Sequence, residues 1–151
     1  MTLFRLLDYS MIAAMDDIES NTHMHNLSTL SQLFDGDEWP TFESLETPGN
    51  TQALINLYTD ERILWFEGHF PEQAVLAGVV QTHWAAELGK HLFPLGEDFQ
   101  QLGNLKFQAV ILPNQSVTLA LDYKPETNSL SFKYYDDETN YSEGKFQFGN
   151  A

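Results

Sequence analysis

A single helical segment, from about Leu76 to Leu92, interrupts a chain that otherwise alternates apolar and polar residues from Thr51 to its end. Alternation with period two belongs to strands with one buried face, whereas apolar residues three and four apart belong to a helix. In QALINLYT, Ala53, Ile55 and Leu57 share one face, and ILWFEGHF follows the turn-like Thr59-Asp60-Glu61. After the helix come NLKFQAVIL, SVTLALDY, SLSFKYY and YSEGKFQF, with turns at Pro113-Asn114, Pro125 to Asn128 and Asp136 to Asn140. A β pair, one long helix and four antiparallel strands predict an α+β domain with the helix laid against a single sheet.

The first 48 residues read differently and are set apart from a main domain over 49–151. Leu3, Leu6, Leu7, Met11 and Met15 recur at helical spacing, with Asp16, Asp17 and Glu19 on the next turn. This predicts an N-terminal amphipathic helix. Only Arg5 is basic and Asp8 breaks the apolar run, a poor match to a secretory leader. A second short helix is expected to start at Asn26 as cap and to bury Leu27, Leu30, Leu33 and Phe34. Asp35 to Asn50, with DGDEWP and ETPGN, reads as a connector.

Charge then narrows the function classes. The 151 residues carry 7 Lys and Arg against 22 Asp and Glu, a formal charge of −15. Such a field repels phosphate backbones and anionic headgroups, so neither nucleic acid nor a membrane surface is an expected partner. No apolar run reaches the roughly 18 residues of a membrane span. There is no cysteine, hence no disulfide, thiol nucleophile or thiolate zinc site. His23 and His25 lie in a linker-like stretch and are not read as ligands, so no metal and no cofactor is expected.

Two places carry candidate chemistry. On a wheel of about 100° per residue with Leu76 at zero, Val79 falls near 300°, Val80 near 40° and Trp84 near 80°. His83, near 340°, and Glu87, near 20°, then sit inside the stripe expected to enter the core. They are one turn apart, so their side chains can meet. A buried imidazole and carboxylate need compensation, from each other or from a cavity. The second place is Glu67-Gly68-His69-Phe70-Pro71, just before the helix. Gly68 permits a tight turn and Pro71 forces an extended exit, holding His69 near the helix start at Ala77-Gly78. Unpaired N–H groups there favour developing negative charge. A histidine base, an amide-lined anion site and a polar group on the helix together suggest chemistry at a carbonyl. Taken singly, the same residues also fit a core histidine held by Glu87 and a turn histidine bonded to a backbone carbonyl.

The stretch GHFPEQAVLAGVVQTHWA resembles the signature of the FabA/FabZ-type 3-hydroxyacyl-ACP dehydratases, and Q-x-x-W at Gln81 to Trp84 resembles the ApeI-like branch. Gly68, His69, Phe70, Pro71, Val75, Gly78 and Val79 match; Ala74 and Ala77 replace two family prolines. NLKFQAVILPNQSVTLAL is similar to the strand pair after the family helix, and the likeness spans about residues 51–148. It implies a hot-dog fold, an antiparallel sheet wrapped around one long helix, here with an N-terminal helical extension. It further implies a cytoplasmic homodimer or higher oligomer with sites shared between subunits, and an acyl carrier protein or acyl-CoA thioester as partner. His69 would remove the α-proton of a 3-hydroxyacyl thioester, and the Gly78 N–H would hold the thioester oxygen as it gains charge.

The family acid lies fourteen positions after the motif histidine, and that position is His83; the residue four further on, often Gln, is Glu87. Either Glu87 stabilises a protonated His83 that serves as the acid while His69 is the base, or the acid is lost and the domain binds acyl chains or scaffolds an assembly. A hot-dog thioesterase, with Glu87 activating water, is a further alternative that the GHFP motif disfavours.

Overall fold

The computed structural model describes residues 26–67 and 73–149. The amphipathic segment from Leu3 to Met15, His23, His25 and Gly68 to Pro71 lie outside the described residues. The chain divides into two units, residues 1–34 and 35–151. Helix α1 (Leu27–Leu33) belongs to the first. The Asn26 side-chain oxygen accepts from the Thr29 N–H at 2.9 Å, so Asn26 is the expected cap, and Leu30 is buried.

The second unit is built on one antiparallel sheet. Its strands are β1 (Thr41–Glu46), β2 (Gln52–Tyr58), β3 (Phe99–Phe107), β4 (Ser116–Lys124), β5 (Ser129–Tyr135) and β6 (Asn140–Phe148), with helix α2 (Gly78–Leu92) between β2 and β3. Across the sheet they run β1-β2-β4-β5-β6-β3. The helix crosses from β2 to the far edge, so the later strands fill the space between. This is the expected hot-dog arrangement of one helix against a single sheet.

Two local readings differ. The run Ile63 to Phe66 is not a strand; Leu64–Phe66 is a 3-10 turn that buries Ile63 and Phe66, three residues apart. A short apolar run fits either structure, and here the closer spacing won. The strand that pairs with β2 is instead β1, inside the segment read as a connector. Phe42 faces Leu57, but the register then slips so that Leu45 faces Ile55. That bulge breaks the alternation and hid the strand. β3 also starts five residues earlier than NLKFQAVIL suggested, and Asn104 within it takes φ 53° at a second slip in register.

The inner face of the sheet, with Leu119, Leu121, Leu130, Phe132 and Tyr134, is buried under α2. The helix contributes Val80, Trp84, Ala85, Leu88 and Leu92, each fully buried side chain of this size stabilising by roughly 1.5–3 kcal/mol. Gly89 is buried as well, and a Cβ there would collide with Leu130, so the Leu130 side chain packs directly on the helix backbone. The one long polar side chain on this face is Gln81. Its amide N–H donates to the Leu76 carbonyl at 2.9 Å, its side-chain oxygen accepts from the Ser142 hydroxyl at 2.6 Å, and its main-chain carbonyl accepts from the Tyr134 hydroxyl at 2.7 Å. Burial pushes the Tyr134 phenol well above its usual range.

At the β5–β6 turn, Asp136 accepts from the Glu138 and Thr139 N–H groups and from the Tyr141 hydroxyl at 2.5 Å. The Tyr141 bond and the Glu138 N–H hold the Asp136 carboxyl below its usual range. Burial, then the Asp136 carboxylate, raise Tyr141 from 10.0 to about 12.

Two stability measurements follow. Replacing Gln81 by Leu strands the Leu76 carbonyl and the Ser142 hydroxyl and is expected to cost roughly 1–3 kcal/mol for each group left unpaired, read as a lower urea midpoint at constant m. Tyr141 favours its neutral form in the fold. Its contribution is therefore complete below about pH 10 and is lost as pH rises toward 12. Tyr141→Phe is expected to flatten that alkaline limb of the stability curve, and a limb identical to wild type would show that Tyr141 does not govern it.

Candidate functional site

The start of α2 follows from its sequence. Leu76 N–H donates to the Ile111 carbonyl at 2.8 Å, which fixes the approach to the helix. Ala77 is the cap residue and offers no side-chain hydrogen bond. The first-turn N–H groups of Gly78 and Val79 point out of the helix end, as in any α-helix. Gly78 has a packing reason too: a Cβ there would lie 2.5 Å from Phe107 Cζ. Val79 is 73% exposed, Phe107 49% and Val110 57%, so apolar side chains near the helix start are left uncovered in the single chain.

The helix is turned about its axis relative to the sequence expectation. Its buried face, from Val80 through Gln81, Trp84, Ala85 and Leu88, is centred near 120° on the wheel, about 110° from the expected stripe, which ran from Val79 to Trp84 with His83 and Glu87 in its middle. His83 is exposed and Glu87 half-buried. The physical reason lies in two residues that do not look apolar. Gln81 enters the core because all its polar groups there are bonded, and Gly89 because it admits Leu130.

The expected contact between His83 and Glu87 is replaced by two others. The Glu87 carboxylate pairs with the Lys90 ammonium at 2.9 Å, one turn along, with both side chains more than a third exposed. A pair so wetted contributes little to stability. The His83 ring stacks on Trp39, centroids 5.6 Å apart and planes 29° from parallel. Trp39 also stacks on Trp84 at 6.4 Å.

Trp39 belongs to the segment Gly36 to Pro40, which sequence analysis took only for turn formers. It is tied down by backbone acceptors. The indole N–H groups of Trp84 and Trp65 both donate to the Glu38 carbonyl, at 2.9 and 3.0 Å. Arg62 Nη1 donates to the Gly36 carbonyl at 2.8 Å, and Leu64 N–H to the Asp37 carbonyl at 2.7 Å. The DGDEWP sequence carried a cue in its tryptophan, since a large aromatic in an acidic turn needs something to cover it.

The structure thus brings together Gly78, Val79 and Phe107 at the helix start, and His83, Trp39 and Glu87 along its open side. Gly68, His69, Phe70 and Pro71 lie outside the described residues. Two concavities, of about 410 and 340 Å³, lie on the outer face of the sheet, among Glu43, Ser116 and Asp136 to Glu138 and among Asp122, Lys133, Glu143 and Lys145. Among the described residues no cluster of His, Asp and Glu could hold a metal, and no helix is long and apolar enough to cross a membrane.

Three comparisons bear on this arrangement. The ApeI-like family, described as ApeI dehydratase, matches residues 45–145. The dehydratase heterocomplex ApeI:P from Xenorhabdus doucetiae is 32% identical with a TM-score of 0.69, over 74% of this chain and 98% of that one. An uncharacterized protein from Erwinia carotovora subsp. atroseptica is 30% identical with a TM-score of 0.60, over 72% and 91%. Zebra fish thioesterase superfamily member 2 has the same fold at 10% identity, TM-score 0.56, over 82% and 99%. Among curated proteins none matches the chain.

The packing described here is open to test. Trp84→Tyr keeps a large buried aromatic ring but removes one of the two donors to the Glu38 carbonyl. It is expected to cost about 1 kcal/mol in chemical denaturation, whereas Lys90→Ala, which breaks a wetted pair, is expected to change stability by less than about 0.5 kcal/mol.

Proposed function

Since the chain belongs to the ApeI-like dehydratase family, we propose that it removes water from a 3-hydroxyacyl thioester, held on an acyl carrier protein, to give the trans-2-enoyl thioester. The observation that carries this reading is the family match across residues 45–145, which includes the Gly68-His69-Phe70-Pro71 motif and the helix that follows it.

In this reading His69 takes the α-proton and the electron pair of that C–H bond forms the new C=C bond. The Gly78 N–H stabilises the thioester oxygen while charge passes through it. The C–O bond at the 3-position breaks, its electron pair stays on oxygen, and the His83 imidazolium donates the proton with which that oxygen leaves as water. His83 stands where the family has its acid, on the side of α2 turned away from the core, which suits a group that must meet substrate. Glu87 lies on the same side but is paired with Lys90, so we assign it a part in the local field rather than a direct bond to His83.

A second copy completes the proposal. The family forms each site from two subunits, and β3 is the sheet edge nearest the helix start. Phe99, Leu105 and Phe107 on that edge are exposed, a combination of open strand and apolar side chains that favours pairing with another chain. A homodimer through β3 would also cover Val79 and Val110. The heterocomplex of the Xenorhabdus relative favours a second arrangement, in which a related chain supplies an acid opposite His69.

Mass spectrometry of a 3-hydroxyacyl chain on carrier protein is the direct assay. Wild type is expected to lose water, and His69→Ala to lose at least about 10²-fold in rate while its oligomer stays folded. His83→Asp, which restores the family acid, is expected to retain or raise turnover. Complete inactivity of that variant would remove His83 from the role of acid. Turnover that appears only after mixing with a second dehydratase-type chain would favour the heteromeric arrangement.

A further inference from the structure

The residue stacked on His83 precedes the stretch that the family model matches. The family match begins at residue 45, while Trp39 and its anchors Gly36, Asp37 and Glu38 precede it. Four donors of the main domain, Arg62, Leu64 N–H, Trp65 and Trp84, grip this segment through its carbonyls. Arg62 Nη2 adds longer contacts to the Trp39 carbonyl and Thr41 Oγ1, at 3.5 and 3.4 Å. From this anchored turn the Trp39 indole stacks on His83 of α2.

An imidazole is a more demanding proton donor than a carboxyl group. Its two nitrogens are distinct, and only one can face the departing oxygen. On an exposed helix position the ring would rotate among several rotamers, most of them unproductive. A stacked indole restricts that rotation without occupying either nitrogen, because the contact is made by the ring face. Glu87, the obvious alternative partner, is engaged with Lys90.

We infer that Trp39 is a positioning residue, which fixes the orientation of the His83 ring at the place where the family carries an acid. The inference rests on the dehydratase reading for its kinetic consequence, but not for its geometry. The grip on residues 36–38 is made through main-chain carbonyls, so substitution of the Trp39 side chain removes none of those acceptors.

The test compares Trp39→Leu and Trp39→Phe with the full-length wild type. In ¹H–¹³C spectra, with the His83 ring signals assigned through His83→Asn, the indole ring current is expected to shift the His83 protons upfield. W39F is expected to keep part of that shift and W39L to lose it. In the carrier-protein assay W39L is expected to lower kcat by about tenfold with KM within about twofold, the scale of one lost orienting contact, and W39F to restore most of it. Loss of the ring-current shift without any change in kcat overturns the inference. So does a raised KM at constant kcat, which would make Trp39 a substrate-binding surface. A wild type without turnover would sink the dehydratase reading, while an upfield shift of the His83 ring protons in wild type would still support the stack on Trp39, and its absence there would overturn the inference.

Discussion

The rotation of α2 on the sheet is set by a polar group. A helix with Val79 on one side and Val80, Trp84 and Leu88 on another can be laid down in more than one way by apolar area alone. Gln81 removes that freedom, because its amide and carbonyl find partners in Leu76, Ser142 and Tyr134 in only one orientation. In any other, several buried donors and acceptors would be left without bonds. Once Gln81 points inward, Val79 and His83 must point outward. The open side of the helix is therefore a consequence of how its closed side is satisfied.

That open side is not bare. It carries an apolar ring at the helix start and an aromatic stack further along, and the two differ in origin. Val79, Phe107 and Val110 come from the helix start, the end of β3 and the loop after it, all within the residues that the family match covers. Trp39 comes from a turn before the shared region. His83 and Trp39 thus meet in space, though far apart in sequence.

Much of this was legible in the amino-acid order. The single switch from period two to helical period and back predicts a helix against one antiparallel sheet, and β4, β5 and β6 fall within a residue of the segments read for them. β1 escaped because its bulge moves Leu45 out of phase with Phe42. The 3-10 turn escaped because four apolar residues in a row carry no period of their own. At the candidate site, GHFP and Q-x-x-W at Gln81 to Trp84 carried the resemblance to the family, and His83 was the point of departure from it. The orientation of that helix could not be read, since the residue that decides it is a glutamine whose partners lie 53 and 61 residues away in sequence. Trp39 was hidden for a similar reason: its neighbours in the chain are turn formers, and its neighbours in space are on α2.

The Glu38 carbonyl, which receives two indole N–H groups, has one more consequence. The chain contains three tryptophans, and all of them, 39, 65 and 84, meet at this turn. Its intrinsic emission is thus a local optical probe, blind to the outer strands and responsive to whatever happens beside His83. An acyl chain or a second subunit arriving there would change the colour or intensity of that light without any label. The acceptor being main chain, the side chain at position 38 is also free to vary without dimming the signal or loosening the turn.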